Sequence, residues 1–314
     1  MRRSPHLLAG AAALSFGLTA CGGGGAGGGV ASIPPPPVTP TPSPTPTPTP
    51  TGFSKVDIFP ALKTSTEFAV LGLEAPGTNA TTLTKNGFSV HYDAATNSYA
   101  MDFPSAPAGS FEQYSADSPN ARWWGGALLD SSGHPVVQGV NVLKPSNPDL
   151  QLTYTTLVEY GIFNAGGQPF GVAAFGTSTP QGAVPVTGSA TYSALIAGAT
   201  TNGLGVIGGS ASLAFDFGAG ALAGHMDPYY VSVAGLGEHL PLASYDFVNT
   251  VYSTGSTSFS GQLSTAGITE KGSFDGLFTG PAAQELMARW SAPYLDPTTN
   301  SQSQMFGVWV GTKK

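Results

Sequence analysis

The sequence predicts an all-β protein: an antiparallel soluble barrel of eight or nine strands behind a smaller N-terminal β domain, carried on a disordered Gly/Pro-rich tether. Three observations lead there. From Leu150 onward, short runs alternate apolar and polar residues and are separated by glycine-rich turns, as in Ala211, Leu213, Phe215 and Phe217 facing one way and Ser210, Ser212 and Asp216 the other. Helical periodicity is almost absent. Charged residues make up only 9% of the chain while Gly reaches 43 of 314, against roughly 25% charged residues in ordinary soluble domains. A surface of Ser, Thr, Asn and Gln is common in exported β proteins.

Taken in order, residues 1–20 read as a lipoprotein signal peptide. Arg2 and Arg3 form a basic start, Leu7 to Leu18 an apolar stretch, and Leu18-Thr19-Ala20-Cys21 a small-residue cleavage site closed by the only cysteine. That arrangement resembles a bacterial lipobox, in which the cysteine thiol takes a diacylglycerol and becomes the acylated N-terminus. Cys21 is therefore the expected lipidation site. Several acyl chains make such an anchor durable, because each buried methylene contributes about 0.8 kcal/mol and one chain alone holds weakly. Gly22, in place of a retaining aspartate, favours the outer membrane. With Cys21 acylated, no thiol remains for a disulfide or a cysteine-based metal site.

Residues 21–52 form the expected tether. Residues 22–29 are seven glycines and one alanine, and residues 34–50 contain ten prolines in a Thr-Pro repeat. A polyproline II segment of that length spans roughly 50 Å, enough to lift a folded head clear of a membrane surface.

Residues 53–148 read as the smaller β region. Its clearest element is a hairpin: Phe88 to Tyr92 and Tyr99 to Phe103 alternate on both arms around the polar turn Asp93 to Ser98. Residues 149–314 read as the barrel, with strands expected at 151–163, 169–177, 188–198, 208–217, 220–226, 245–253, 256–264, 271–279 and 304–311. Closure into a barrel removes exposed strand edges. A membrane-spanning barrel would show an apolar outward band; here the second face is mostly Ser, Thr, Gly or Asp, which favours a filled, soluble barrel. One helix is expected after Gly280, starting at Pro281 and running to Trp290. These residues are mostly good helix formers, with Leu286 and Trp290 four apart on one face, placed to plug the barrel mouth.

The formal net charge of −7 argues against nucleic acid as a partner, since phosphate binding relies on clustered Lys and Arg. Losing Arg2 and Arg3 with the leader makes the chain more acidic still. No Gly-x-Ser-x-Gly elbow, His-Glu-x-x-His, phosphate loop or paired cysteines occur, so no enzyme is expected. Candidate ligand-binding residues are aromatic and imidazole groups. His225 and His239 flank Met226-Asp227-Pro228-Tyr229-Tyr230 in a stretch read as loop, where His, Met or Tyr could ligate haem iron; solvated loop histidines are the competing reading. Trp123 and Trp124 are adjacent, so in a strand they face opposite ways, one of them outward or toward a domain seam.

The succession Gly188-Ser189-Ala190-Thr191-Tyr192, then Gly209 to Phe217 with Gly220 and Gly224, then Gly272-Ser273-Phe274-Asp275-Gly276-Leu277-Phe278-Thr279-Gly280-Pro281-Ala282-Ala283-Gln284-Glu285-Leu286, and the terminal Phe306-Gly307, resembles the barrel domain of the transferrin-binding protein B family. The resemblance covers about half the chain. Where family members continue Glu-Leu with Gly-Gly, this chain has Met287-Ala288, and it has length for one barrel with a partner domain rather than two lobes. The resemblance implies a surface lipoprotein that captures a solute or a host or environmental protein, in a family often connected with iron or haem acquisition. It also implies a TonB-dependent receptor or a surface-lipoprotein translocator as partner. A structural or adhesive surface lipoprotein without a solute ligand is the alternative.

Overall fold

The computed structural model describes residues 53–114, 121–146, 150–161, 168–233 and 237–314. The leader, Cys21 and the Gly/Pro-rich tether lie outside the described residues.

Two antiparallel sheets, each curled on itself, hold these residues. The first comprises β1 (Thr66–Glu67), β2 (Ala69–Ala75), β3 (Ser89–Asp93), β4 (Ser98–Phe103), β5 (Ala106–Gln113), β6 (Trp123–Leu129), β7 (Pro135–Leu143), β8 (Thr155–Tyr160) and β9 (Phe170–Gly176), in the order β1-β3-β4-β5-β6-β7-β8-β9-β2. β1 and β2 are separated only by Phe68, whose N–H donates to the Val90 carbonyl at 3.0 Å. One segment therefore pairs with β3 at one end and with β9 at the other, which nearly closes the sheet. The expected hairpin is β3 and β4: Tyr92 stands opposite Tyr99, and the Asp93 carboxylate accepts from the Ala95 N–H and the Thr96 hydroxyl in the turn.

The second sheet comprises β10 (Ser189–Thr200), β11 (Gly205–Asp216), β12 (Ala221–Ser232), the short β13 (Leu240–Pro241), β14 (Tyr245–Val251), β15 (Ser258–Ser264), β16 (Gly272–Thr279), β17 (Glu285–Leu295) and β18 (Gln302–Lys313). The run β11-β10-β18-β17-β16-β15-β14-β12 closes because β11 also pairs with β12, giving a barrel of eight long strands. Its interior is filled by Tyr192, Leu213, Phe215, Met226, Tyr230, Phe259, Phe274, Phe278, Trp290 and Trp309. Outward positions such as Ser212, His225, Asp227, Ser273 and Asp275 are polar and solvated to differing degrees.

The outward apolar residues of β10, β17 and β18 are covered by the first sheet. Ala197, Met287, Phe306, Val308 and Val310 pack on Leu73, Leu157, Phe170 and Val172 in a seam cluster distinct from the two interiors. β8 and β9 are buried at every position. Leu157 and Val172 face the seam, while Val158, Tyr160, Ala173 and Phe175 face the interior of the first sheet. This corrects the expected division at residue 149. β8 and β9, which lie within the segments expected at 151–163 and 169–177, complete the first sheet instead of opening the barrel, which begins at Ser189. Their apolar content reads the same either way, since a strand buried on both faces carries no sign of which sheet it joins.

The expected helix after Gly280 is a turn followed by β17. Gly280 and Ala283 both take left-handed φ, 80° and 55°, which turns the chain sharply from β16 back along itself. Leu286, Ala288, Trp290, Ala292 and Tyr294 then point into the barrel while Met287 points to the seam. A spacing of four satisfies period 2 as well as period 3.6, so Leu286 and Trp290 share a face in either structure. Pairing on both sides with β16 and β18 overrides the helix propensity of Ala, Leu and Met.

The same motif joins the two sheets. The buried Glu285 carboxylate accepts the N–H groups of Thr153 at 2.6 Å and Tyr154 at 3.0 Å, just before β8. Thr155 and Thr279 hydroxyls meet at 2.5 Å beside it. Removing the carboxylate takes the acceptor from two partly buried N–H donors, at about 1.5–3 kcal/mol for a bond to a charged acceptor. Glu285→Ala is expected to lower the unfolding free energy by an amount in that range, seen as a lower urea midpoint with m unchanged; a loss under about 0.5 kcal/mol would show that the joint does not depend on it.

Candidate functional site

Both interiors are packed with side chains, so a ligand must meet the outside of the molecule. On the outer face of the barrel, β12 alternates strictly. Met226 and Tyr230 point inward and His225, Asp227 and Tyr229 point outward. The stretch expected as loop is strand through Ser232. This decides among the candidates: Tyr230 is 1% exposed, its hydroxyl donates to the Leu204 carbonyl at 3.1 Å, and its ring belongs to the barrel core. Tyr230 is therefore corrected to a packing residue. His225 Nε2 lies 3.4 Å from an Asp227 carboxylate oxygen on the exposed face. The Tyr229 ring lies over Gly208, where any Cβ would collide with it, and the His239 ring stacks on it at 4.3 Å with 6° between planes. Gly208 is thus the reason the Tyr229 ring can lie flat along the barrel wall.

The paired tryptophans face opposite ways. Trp124 enters the interior of the first sheet, with the Lys144 ammonium 5.4 Å from its ring, and so is a packing residue with one edge on a separate crevice beside Phe59 and Leu152. Trp123 turns to the seam and packs on its cluster.

Trp123 and Tyr229 line one crevice of about 280 Å³ at the end of that seam. Arg122, Trp123, Leu143 and Glu159 come from the first sheet; Leu195, Val206, Gly208 and Tyr229 are among those from the barrel. Of the six sequence candidates, Trp123 and Tyr229 meet here, with His239 behind Tyr229; His225 lies four residues back along β12, and Trp124 and Tyr230 are turned into the two interiors.

Glu159 is the residue that sequence reasoning missed. It occupies β8, is 7% exposed, and no described residue donates a hydrogen bond to its carboxyl. Burial pushes its pKa up to about 7, and no neighbouring charge offsets the effect. The signal was available: in Thr155-Thr156-Leu157-Val158-Glu159-Tyr160, Glu159 shares the face of the seam residue Leu157. A single carboxylate on a buried strand face is expensive unless it serves something.

Among the described residues no group of three or more His, Cys, Asp or Glu converges as a metal site.

No protein-family model matches this chain, and no curated protein does. Solved structures do. A double mutant of transferrin-binding protein B, a vaccine antigen from Haemophilus parasuis Hp5, matches over 78% of this chain and 44% of its own, at 14% identity and a TM-score of 0.45. The chain is similar in fold to transferrin-binding protein B. A mutant of that protein from Actinobacillus pleuropneumoniae H49 matches over 78% of this chain and 99% of its own, at 11% identity and a TM-score of 0.38. The N-lobe of lactoferrin-binding protein B of Moraxella bovis matches over 81% and 100%, at 14% identity and a TM-score of 0.29. The chain thus spans less than half the length of the first of these. The likeness lies in the fold alone.

Proposed function

We propose that this protein is a lipid-anchored outer-membrane lipoprotein whose two-sheet head, held off the surface on the Gly/Pro-rich stalk, captures a solute or a protein ligand outside the membrane. The seam crevice is the capture site. The observation that carries this reading is the convergence of Trp123 and Tyr229 beside the buried carboxyl of Glu159, in a molecule whose two interiors are filled. Aromatic walls around a few fixed polar groups are the usual make-up of a binding cleft. Acylation at Cys21 supplies the membrane, and a TonB-dependent receptor or a surface-lipoprotein translocator supplies the transport or export machinery such a head would work with. The role proposed is binding.

Cys21→Ser is expected to move the protein from the membrane pellet to the soluble fraction, with the folded head unchanged by circular dichroism. A variant that still sediments with membranes would remove the anchor from the account.

A further inference from the structure

Apolar packing explains the lining residues of the seam crevice other than the exposed Arg122 at its rim and the buried Glu159. The Glu159 carboxyl sits on a strand buried along its whole length and faces a cleft whose barrel side, from β10 and β11, is aliphatic apart from Gly208. The other titratable groups lining the cleft are Arg122 and Tyr229, with His239 stacked behind Tyr229. Arg122 is exposed at the rim and has contacts of its own. It forms no ion pair with Glu159, whose shift has burial as its one cause. Among the described residues no cation forms an ion pair with that carboxyl, and Arg122 stands at the rim of the cleft. Beside the carboxyl stand the electron-rich rings of Trp123 and Tyr229.

A site of this composition selects for charge and shape together. An aromatic ring attracts a cation by its quadrupole, most strongly when water is excluded, and tryptophan is the best such ring. A buried carboxylate adds a full counter-charge. At about 280 Å³ the cleft is at or below the small end of ligand sites, which suits a compact group. A weakly hydrated ammonium ion surrenders less hydration on entering than a metal ion of the same charge.

We propose that the crevice binds an organic ammonium group, such as an alkyl- or trimethylammonium ion, with the Glu159 carboxylate as counter-charge and the Trp123 and Tyr229 rings as walls. The inference rests on the crevice being the capture site. The cation binds the ionised carboxylate, so ligand and proton compete for Glu159. Affinity rises with pH, by about tenfold per unit below the Glu159 pKa, and levels off above it.

The experiment is calorimetric titration of the full chain in octyl glucoside with choline, and with 3,3-dimethylbutan-1-ol as the uncharged isostere. Dihexanoylphosphatidylcholine, kept below its micelle concentration, reports whether a lipid headgroup is accepted as well as the free ion. Saturable choline binding is expected that weakens by at least about tenfold in Glu159→Gln and in Trp123→Ala, that falls between pH 8 and pH 5.5, and that the isostere does not reproduce. Glu159→Gln keeps the side-chain shape and removes a buried charge, so it should fold. Equal binding of the isostere, unchanged affinity in Glu159→Gln, or no choline binding at either pH would overturn the proposal. If choline fails while another species still co-purifies in a Trp123-dependent manner, the ligand class is wrong and the capture site stands. If both fail, the capture site fails with it.

Discussion

Phe215→Ala is expected to destabilise the protein by about 3–5 kcal/mol, the usual range for deleting a buried aromatic ring. Phe215 lies at the centre of the barrel interior. Its ring has Phe278 at 4.8 Å, Phe259 at 5.1 Å, Tyr252 at 5.2 Å and Tyr192 at 5.6 Å, most of them tilted or edge-on. The neighbours come from β10, β15, β16 and the end of β14, and the strands carrying them are hydrogen-bonded round a closed circuit. A closed barrel cannot collapse onto the gap as an open sheet can, so the cavity term is expected to survive nearly in full. Val251→Ala is the control: Val251 is 64% exposed, and its truncation should cost within about 0.5 kcal/mol. Urea unfolding followed by tryptophan fluorescence measures both. A Phe215→Ala loss close to the Val251→Ala value would mean that the interior is not packed as described.

The second large effect is a dependence of stability on pH. The Glu159 carboxyl has an ordinary value of 4.5 in the unfolded chain and about 7 when buried at the seam. Below pH 4.5 the group is protonated in both states and costs nothing. Between 4.5 and 7 the unfolded chain releases the proton while the folded chain keeps it, so stability falls as pH rises, and above 7 the loss is complete. The difference corresponds to about 3 kcal/mol. Glu159→Gln removes this term. Its stability relative to the wild type should therefore grow across that window, from a small difference near pH 5 to about 3 kcal/mol near pH 8. Comparing the variant with the wild type at each pH cancels the other titrating groups. Parallel curves across the window would show that the carboxyl is solvated.

Much of the fold was legible because β structure writes itself locally. Alternation in Ala211 to Phe217 and in the Tyr92/Tyr99 hairpin specified strand, face and register at once, since a slip of one residue would turn every aromatic outward. Two errors arose where locality ends. β8 and β9 are apolar on both faces, so nothing in their residues says which sheet they join; only pairing with β2 and β7 decides it. β17 has a composition that suits a helix, and its Leu286/Trp290 spacing suits either structure; strand partners on both sides decide it.

The candidate site was legible in part for a related reason. Trp123 and Tyr229 are chemically conspicuous in the sequence, but 106 positions separate them, and only the packing of one sheet on another brings them to one crevice. Tyr230 looked equivalent to Tyr229 until strand alternation turned it inward. Glu159 escaped notice because a carboxylate is ordinary in sequence. It becomes informative only once the strand carrying it is known to be buried on both faces.

If the seam crevice is the capture site, a ligand bound there depends on Trp123. Native mass spectrometry of the full chain, purified in octyl glucoside from membranes of the producing cells, tests it most directly when the wild type is run beside Trp123→Ala. An additional bound species is expected on the acylated wild-type chain and is lost from Trp123→Ala, with both chains equally folded. A wild-type mass equal to the acylated chain alone, or a bound species retained unchanged in Trp123→Ala, would contradict it.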